Sequence, residues 1–470
     1  MNLGYTKLGY STEIHLKDLL KLNKQTRVTL VEEFRCRLFR LAKEAKGGWE
    51  ALSRYLTRIL GRNISGASLG KWEAGKRHIK SRNTWIDAPA PLDVVVTLSE
   101  MLGKDNEKLC SRETEKHVLF LKGQGNSYRV WYPRFPISLR NPHTATVIGH
   151  VLHDGHLEKQ RLRVVYCNKE PENLLHYKRS IEGMLGAQKV EFAEINDKDG
   201  TVRLSCPNVV GYFLVLLGIR PGNKLKTNAA PPPGLMRCEK ETLEGYLRAL
   251  STDEASIRPA SNGSGGCIKI ELASRNPTEP SKLICVDWEI FRKIGIKPGP
   301  IHLSTIRLTK HGEISARWLF IITGRKNFEI FKEKIGFVST RKKDKLDWIL
   351  KRYRYPADYV SLEENFRTRL FQNAIKFFEG IHNYCAWLEH RLDRKITPTS
   401  IHDWINGRFP SPLDVIAATV ELLSEKLGVK SSLAEVYANI VQYKCSRNSE
   451  ATLSQQELTS LLGKLGFKIP

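Results

Sequence analysis

Apolar residues recur every three or four positions across residues 34–46 and again across 49–60, the period of helices that bury one face. Ile64-Ser65 then gives a helix-start signal, and a short third helix is predicted to carry Trp72 and to stop at Gly75. The pattern returns near the other end, where a helical run begins at Phe366, breaks at Ile396-Thr397-Pro398, and resumes with Trp404 before Gly407. Two further apolar helices lie between, within "VIGHVLHDG" (147–155) and "LRALSTDEA" (247–255). Each has a small residue third, Gly149 or Ala249, and an acid eighth, Asp154 or Glu254. Gly155 is the expected left-handed cap. The acids are out of place, because a helix C-terminus is already negative and a carboxylate there costs about 0.3–1 kcal/mol. Elsewhere, basic residues alternate on predicted strands: Arg161 and Arg163, Arg203, Arg258 and Lys269, Arg307 and Arg317. Side chains two apart on a strand share a face, so such pairs can line one groove.

The end segments repeat each other. "FRCRLFRLAKEAKGGWEALSRYLTRILGRNISGASLGKWEAGKR" from Phe34 aligns without a gap with "FRTRLFQNAIKFFEGIHNYCAWLEHRLDRKITPTSIHDWINGRF" from Phe366, with about a third of positions identical. After an insertion in the first copy, "PLDVVVTLSEML" answers "PLDVIAATVELL". Helix, tight break and short anchored helix is the helix-turn-helix plan, whose last helix lies in a DNA major groove. "SLGKWEAGKR" also resembles the third helix of repressor-type helix-turn-helix domains. Trp72 and Trp404 are expected as core anchors. The candidate DNA contacts around them are Ser68, Lys71, Lys76 and Arg77 in the first copy, and Thr399, His402 and Arg408 in the second.

Charge agrees with a polyanionic partner: the chain of 470 residues carries a net +25 with a pI near 9.6. Nine scattered cysteines without a CxxC pair argue against a disulfide frame or structural zinc and fit a reducing compartment. The longest apolar run, "VVGYFLVLLGI", is too short to cross a bilayer. These features predict a cytoplasmic, nucleoid-associated protein of prokaryotic type, without a membrane partner. His150, His153 and His156 rotate too far round a helix to converge on a transition metal.

The two central motifs resemble the paired LAGLIDADG helices of single-chain homing endonucleases and intein endonuclease domains. "RLRVVYCNKEPENLLHYKRSIEGMLGAQKVEF" and "VVGYFLVLLGIRPGNKLKTNAAPPPGLM" resemble the first half-domain. "WEIFRKIGIKPGPIHLSTIRL" and "FIITGRKNFEIFKEKIGFVSTRKKDKL" resemble the second. Close to half the chain is covered. The resemblance implies an α+β fold of two pseudosymmetric halves, each with a saddle-shaped antiparallel sheet that straddles duplex DNA. Gly149, His153, Ala249 and Asp253 would lie at the helix interface. Asp154 and Glu254 would hold Mg²⁺, or Mn²⁺, over the scissile phosphates, and a core lysine at Lys226 or Lys342 would balance charge; no organic cofactor is implied. The seventh motif position, usually small, is His153 in one copy and Asp253 in the other, so these two residues are expected to bond across the axis or to mark a site that no longer cuts.

The resulting expectation is an extension (1–30), a helix-turn-helix domain (31–112), a linker (113–139), two LAGLIDADG repeats (140–238 and 239–352) and a second all-α helix-turn-helix domain (360–470). The expected activity is metal-dependent cleavage of double-stranded DNA by a monomer. The alternatives are a non-cleaving DNA-binding regulator and an RNA-binding maturase.

Overall fold

The computed structural model describes residues 11–23, 25–79, 84–104, 106–123, 128–259, 265–308, 313–352, 359–393, 395–427, 433–444 and 455–464. The protein is mixed α+β, with several small antiparallel sheets among its helices. It divides into two compact units, Met1–Arg258 with Ile268–Leu346, and Pro259–Cys267 with Asp347–Pro470.

In the first unit the expected N-terminal bundle is present as helices Glu32–Lys46, Trp49–Leu60 and Gly66–Ala74. Glycines at left-handed φ, Gly47, Gly61 and Gly75, follow their three ends. Ser65 caps the third helix by accepting the Ser68 amide at 3.2 Å. Leu38, Phe39, Leu52, Leu56 and Leu69 are fully buried between the helices. Trp72 is only half-buried, so it is a smaller part of this core than expected.

The bundle is not separated from the centre by a linker. Residues 113–139 supply the strands Val118–Lys122, Arg129–Trp131 and Ile137–Ser138. The first two stand in a five-stranded sheet in the order Lys189–Val190, Arg129–Trp131, Val118–Lys122, Arg27–Leu30, Ala90–Pro91. That sheet draws strands from the expected extension, bundle, linker and first repeat. "VLFLK" is a short apolar run, and its strand character comes from its neighbours in the sheet.

Helices Pro142–Leu152 and Lys240–Glu254 pack against each other at the centre. A Cβ on Gly149 would stand 2.7 Å from the Ala249 Cβ and 2.8 Å from the Tyr246 carbonyl. One on Gly245 would meet the Pro142 carbonyl at 2.7 Å, so a third small residue serves the same approach. Each central helix leads into a four-stranded antiparallel sheet. The first has the order Ala193–Asn196, Val202–Ser205, Val164–Asn168, His156–Leu157; the second, Ser256–Pro259, Gly266–Ser274, Ile314–Ile322, His302–Leu308.

The second unit repeats the helical pattern with Glu364–Phe377, Ile381–Leu392, Pro398–Ile405 and Leu413–Leu427, but it is not all-α as expected: the strand Tyr359–Leu362 pairs with Ser411–Pro412 and Ile440–Lys444 in a three-stranded sheet. Phe371, Tyr384, Leu388, Ile401 and Val415 form its core, and Trp404 packs against it. One device is shared by both copies. Arg35 donates to the carbonyls of Leu30, Glu73 and Ala74 at 3.2, 2.8 and 3.3 Å. Arg367 donates to Leu362 and Ile405 at 3.1 and 3.0 Å. In each case a guanidinium takes up open carbonyls at the end of the third helix and ties them to the preceding strand. Gly75 and Gly407 lie against these guanidinium groups, where a Cβ would come within 2.6 and 2.7 Å.

Candidate acidic centre and basic faces

The two central helices end differently. The first stops at Leu152, and the Gly155 amide bonds back to the His150 carbonyl at 2.7 Å. Gly155 is not left-handed; it is required because a Cβ would meet the His150 carbonyl at 2.9 Å and that of Val165 at 3.1 Å. The second helix runs through Glu254 into extended Ala255, where a methyl is tolerated. Asp154 is left exposed and Glu254 half-buried.

A lysine stands at each of these ends. The Lys224 ammonium donates to the His153 carbonyl and to that of Gly155, the latter at 3.0 Å. The Lys342 ammonium donates to the carbonyls of Ser251 (3.3 Å) and Thr252. Each bonds carbonyls at a helix end, that of Ser251 being shared with the Ala255 amide, and sets a cation beside the acid. Of the two lysines expected near the acids, Lys342 lies at a helix end, whereas Lys226 is exposed and Lys224, two positions earlier, turns inward. Asn223 caps the short helix Lys224–Thr227 and fixes which lysine does so.

Burial is the main reason the Asp154 carboxyl is pushed up to about 7, with the nearby Asp253 carboxylate adding to it. Glu254 also rises to about 7, from burial first and then from Asp154 and Asp253. Solvent at the open face of Asp154 works against its rise, so Glu254 carries the firmer perturbation. Burial depresses both Lys224 and Lys342, while the surrounding acids oppose that fall. The arrangement gathers negative charge in a confined space, which favours a proton or a cation between the two carboxylates.

His153 and Asp253 do not bond to each other. Their side chains pass across the axis into opposite halves. Asp253 is fully buried, accepting from Tyr166 at 2.8 Å and standing 2.9 Å from His150 Nδ1. His150 Nε2 in turn lies 3.0 Å from His176 Nδ1. His153 turns toward helix Lys282–Lys293, with Nε2 3.4 Å from the Tyr246 hydroxyl and 3.8 Å from Asp287. Its Nδ1 stands 4.0 Å from Glu254. Burial drives His153 well below the usual histidine range and Asp287 well above the usual carboxylate range, so both are held neutral. Tyr166, His176 and Asp287 went unmarked in the sequence, and His150 was weighed only as a metal ligand, because their roles depend on contacts between distant segments.

Among the described residues, no three or more His, Cys, Asp or Glu are grouped to hold a metal ion. Asp154 and Glu254 offer two carboxylates, a set that fits a hard cation whose remaining ligands are water and phosphate oxygens. The mutual crowding of their charges is the feature that suits them to one.

Of the basic positions expected on strands, Arg203, Arg258, Lys269, Arg307 and Arg317 lie on strands, whereas Arg161 and Arg163 precede the strand Val164–Asn168 in a turn and loop. In the second sheet Arg317 pairs with Thr305, and Arg307 with Ser315, so both arginines share the face that also carries Lys269. Arg258 is exposed on the first strand. Lys269 and Arg317 lie 2.9 and 3.8 Å from Glu271, which holds part of their charge. In the first sheet Arg203 pairs with Asp197 at 2.5 Å. Arg163 pairs with Glu158 at 2.6 Å, and Arg161 is exposed in the adjoining turn. A groove of about 760 Å³ runs from His156 to Arg163 and reaches Lys224.

In the bundles, Lys71, Thr399, His402 and Arg408 are exposed, and Ser68 is half-buried against the Ser65 cap. Arg408 lies 3.4 Å from Asp403. The third helix ends at left-handed Gly75 as expected, and Lys76 and Arg77 lie beyond it, opening the strand Lys76–Ile79 of a hairpin.

In comparisons with known proteins, no family model and no curated sequence matches the chain. No helix among the described residues is long and apolar enough to cross a membrane.

Proposed function

We propose that this protein binds double-stranded DNA sequence-specifically as a monomer and cleaves it in the manner of the LAGLIDADG endonucleases it resembles. One observation carries the reading: two carboxylates stand at the ends of two tightly packed helices, both pushed up to about 7, each beside a half-buried lysine. Acids and lysines perturbed together at one point are more often a reactive centre than a structural one. The outer faces of two antiparallel sheets, with Arg203, Arg258, Lys269, Arg307 and Arg317, are the surfaces offered to the duplex. The end bundles extend the footprint through their third helices, following the helix-turn-helix plan.

Asp154 and Glu254 would hold Mg²⁺ or Mn²⁺, which when bound activates water and stabilises the leaving oxygen. The chain's own part is positional. Gly149, Gly245 and Ala249 bring the helix ends together, and Lys224 and Lys342 hold those ends while balancing the acids. Asp253, fixed by His150 and Tyr166, adds negative charge behind the pair.

A non-cleaving DNA-binding regulator is the second reading. Its support is the filling of the two usually small positions by His153 and Asp253, both buried in polar contacts. Selecting bound sites from a random duplex library, then assaying nicking of those sites with Mg²⁺ or Mn²⁺, separates the two. Cleavage lost in Asp154→Asn and Glu254→Gln, with binding retained, supports the endonuclease. Binding without cleavage by the unaltered chain supports the regulator, and selective retention of RNA would defeat both.

A further inference from the structure

The two end bundles differ at one place. After Gly75 the first copy spends residues 76–90 reaching Pro91, whereas the second spends only 408–411 reaching Pro412. The longer stretch forms the hairpin Lys76–Ile79 against Thr84–Asp87, with Lys76 opposite Asp87 and His78 opposite Trp85. The second copy closes without it: Gly407 is left-handed like Gly75, and its core packs Ile401 and Val415 directly. The fold of the bundle therefore does not require the hairpin.

A lone two-stranded hairpin is marginal in water, so one kept outside a core calls for another use. Lys76, His78, Thr84, Trp85 and Asp87 are all exposed. Trp85 is 66% exposed, and its ring lies 5.1 Å from that of His78. By sequence, residues 76–87 hold Lys76, Arg77, Lys80 and Arg82 against the single acid Asp87. That acid is paired with Arg129 at 2.8 Å. A cationic ribbon presenting a bare indole matches a surface that alternates anionic groups with flat or apolar ones. Duplex DNA offers this, with phosphates for the cations and deoxyribose and base edges for the ring.

We propose that this hairpin is a duplex-DNA contact present at one end only, laid against the sugar–phosphate wall beside the groove served by helix Gly66–Ala74. The inference rests on the DNA-binding reading above and adds an asymmetry to it: only one of the two repeated bundles carries this contact.

The test uses the full chain on a selected duplex, read by affinity and by hydroxyl-radical footprinting, which reports access to deoxyribose. Trp85→Ala is expected to weaken binding about tenfold, the effect of losing the apolar contact of one indole with deoxyribose. Replacing residues 76–89 by Arg408-Phe409-Pro410 of the second copy removes Lys76, Arg77, Lys80 and Arg82 and returns one cation, Arg408. With a net loss of three cations it should flatten the log–log salt dependence by up to about 3. Both variants should lose protection at one end of the footprint and keep it at the other. If the replacement misfolds by circular dichroism, Trp85→Ala alone decides. Unchanged affinity and footprint in Trp85→Ala overturn the proposal and turn the hairpin toward a protein partner. Failure of the unaltered chain to protect any duplex overturns the DNA reading itself, a distinguishable result.

Discussion

Replacing Glu254 by glutamine keeps the shape of the side chain and removes its charge, and the structure fixes the sign of the result. The folded carboxyl titrates at about 7 against an ordinary 4.5, because burial and the neighbouring acids oppose ionisation. Between those values the folded protein holds a proton that the unfolded chain has released, so stability is complete below about pH 4.5 and is lost as pH rises through about 7. The full shift corresponds to about 3 kcal/mol at 1.36 kcal/mol per unit. The Glu254 side chain is 26% exposed, and screening by solvent brings the figure nearer 2 kcal/mol. Glu254→Gln should therefore raise the melting temperature of the first unit at pH 8, on the order of 5 °C, and leave it unchanged at pH 4.5. Mn²⁺ should stabilise the unaltered chain at pH 8 and have less effect on the variant. Thermal melts of both proteins across pH, with and without the cation, make the comparison. A variant less stable at pH 8, or stabilised equally at both pH values, would refute the charge-crowding argument.

Three further outcomes follow from the packing and charge. Gly149→Ala should destabilise by about 1–3 kcal/mol, although alanine is ordinarily the better helix former, because its methyl meets the Ala249 Cβ and the Tyr246 carbonyl. Adding Ala249→Gly should recover only part of the loss, as chemical denaturation of the single and double variants would show. Arg35→Met should cost about 2 kcal/mol or more by leaving carbonyls of Leu30, Glu73 and Ala74 unpaired; a variant as stable as the parent would remove the guanidinium from the bundle's support. Affinity for duplex DNA should fall steeply from low to moderate salt, given the net charge of +25, and a flat log–log plot would sever that charge from DNA.

What was legible in the sequence was local. The end helices were readable because glycine and serine punctuate them, and the copies report the same pattern twice. The close approach of the central helices was readable from Gly149 and Ala249, where small residues interrupt apolar runs. Long-range contacts were not readable. Lys224 and Lys226 alternate within one loop, and only the turn of a capped four-residue helix, Lys224–Thr227, sends the first inward. The strands of 113–139 depend on partners as distant as Arg27–Leu30. His153 and Asp253 share a motif position, which invited a bond across the axis; the packed helices carry them past each other to Asp287 and Tyr166 instead.

The acids at the helix ends make physical sense once both lysines are in place. A carboxylate beside open carbonyls is unfavourable, and Lys224 and Lys342 relieve that locally by occupying the carbonyls. They offset the rise of the two acids only in part: burial first, and neighbouring carboxylates second, still push Asp154 and Glu254 up to about 7. A structural role would be better served by amides, which need no cation and suffer no repulsion. Retaining two crowded carboxyls, with Asp253 held behind them by His150 and Tyr166, leaves a demand for positive charge that the protein's own side chains do not meet. A phosphate arriving alone would increase that repulsion, whereas a phosphate bridged by a divalent cation would relieve it. On the proposed reading the centre would take the cation and the polyanion together, and binding of either should strengthen the other.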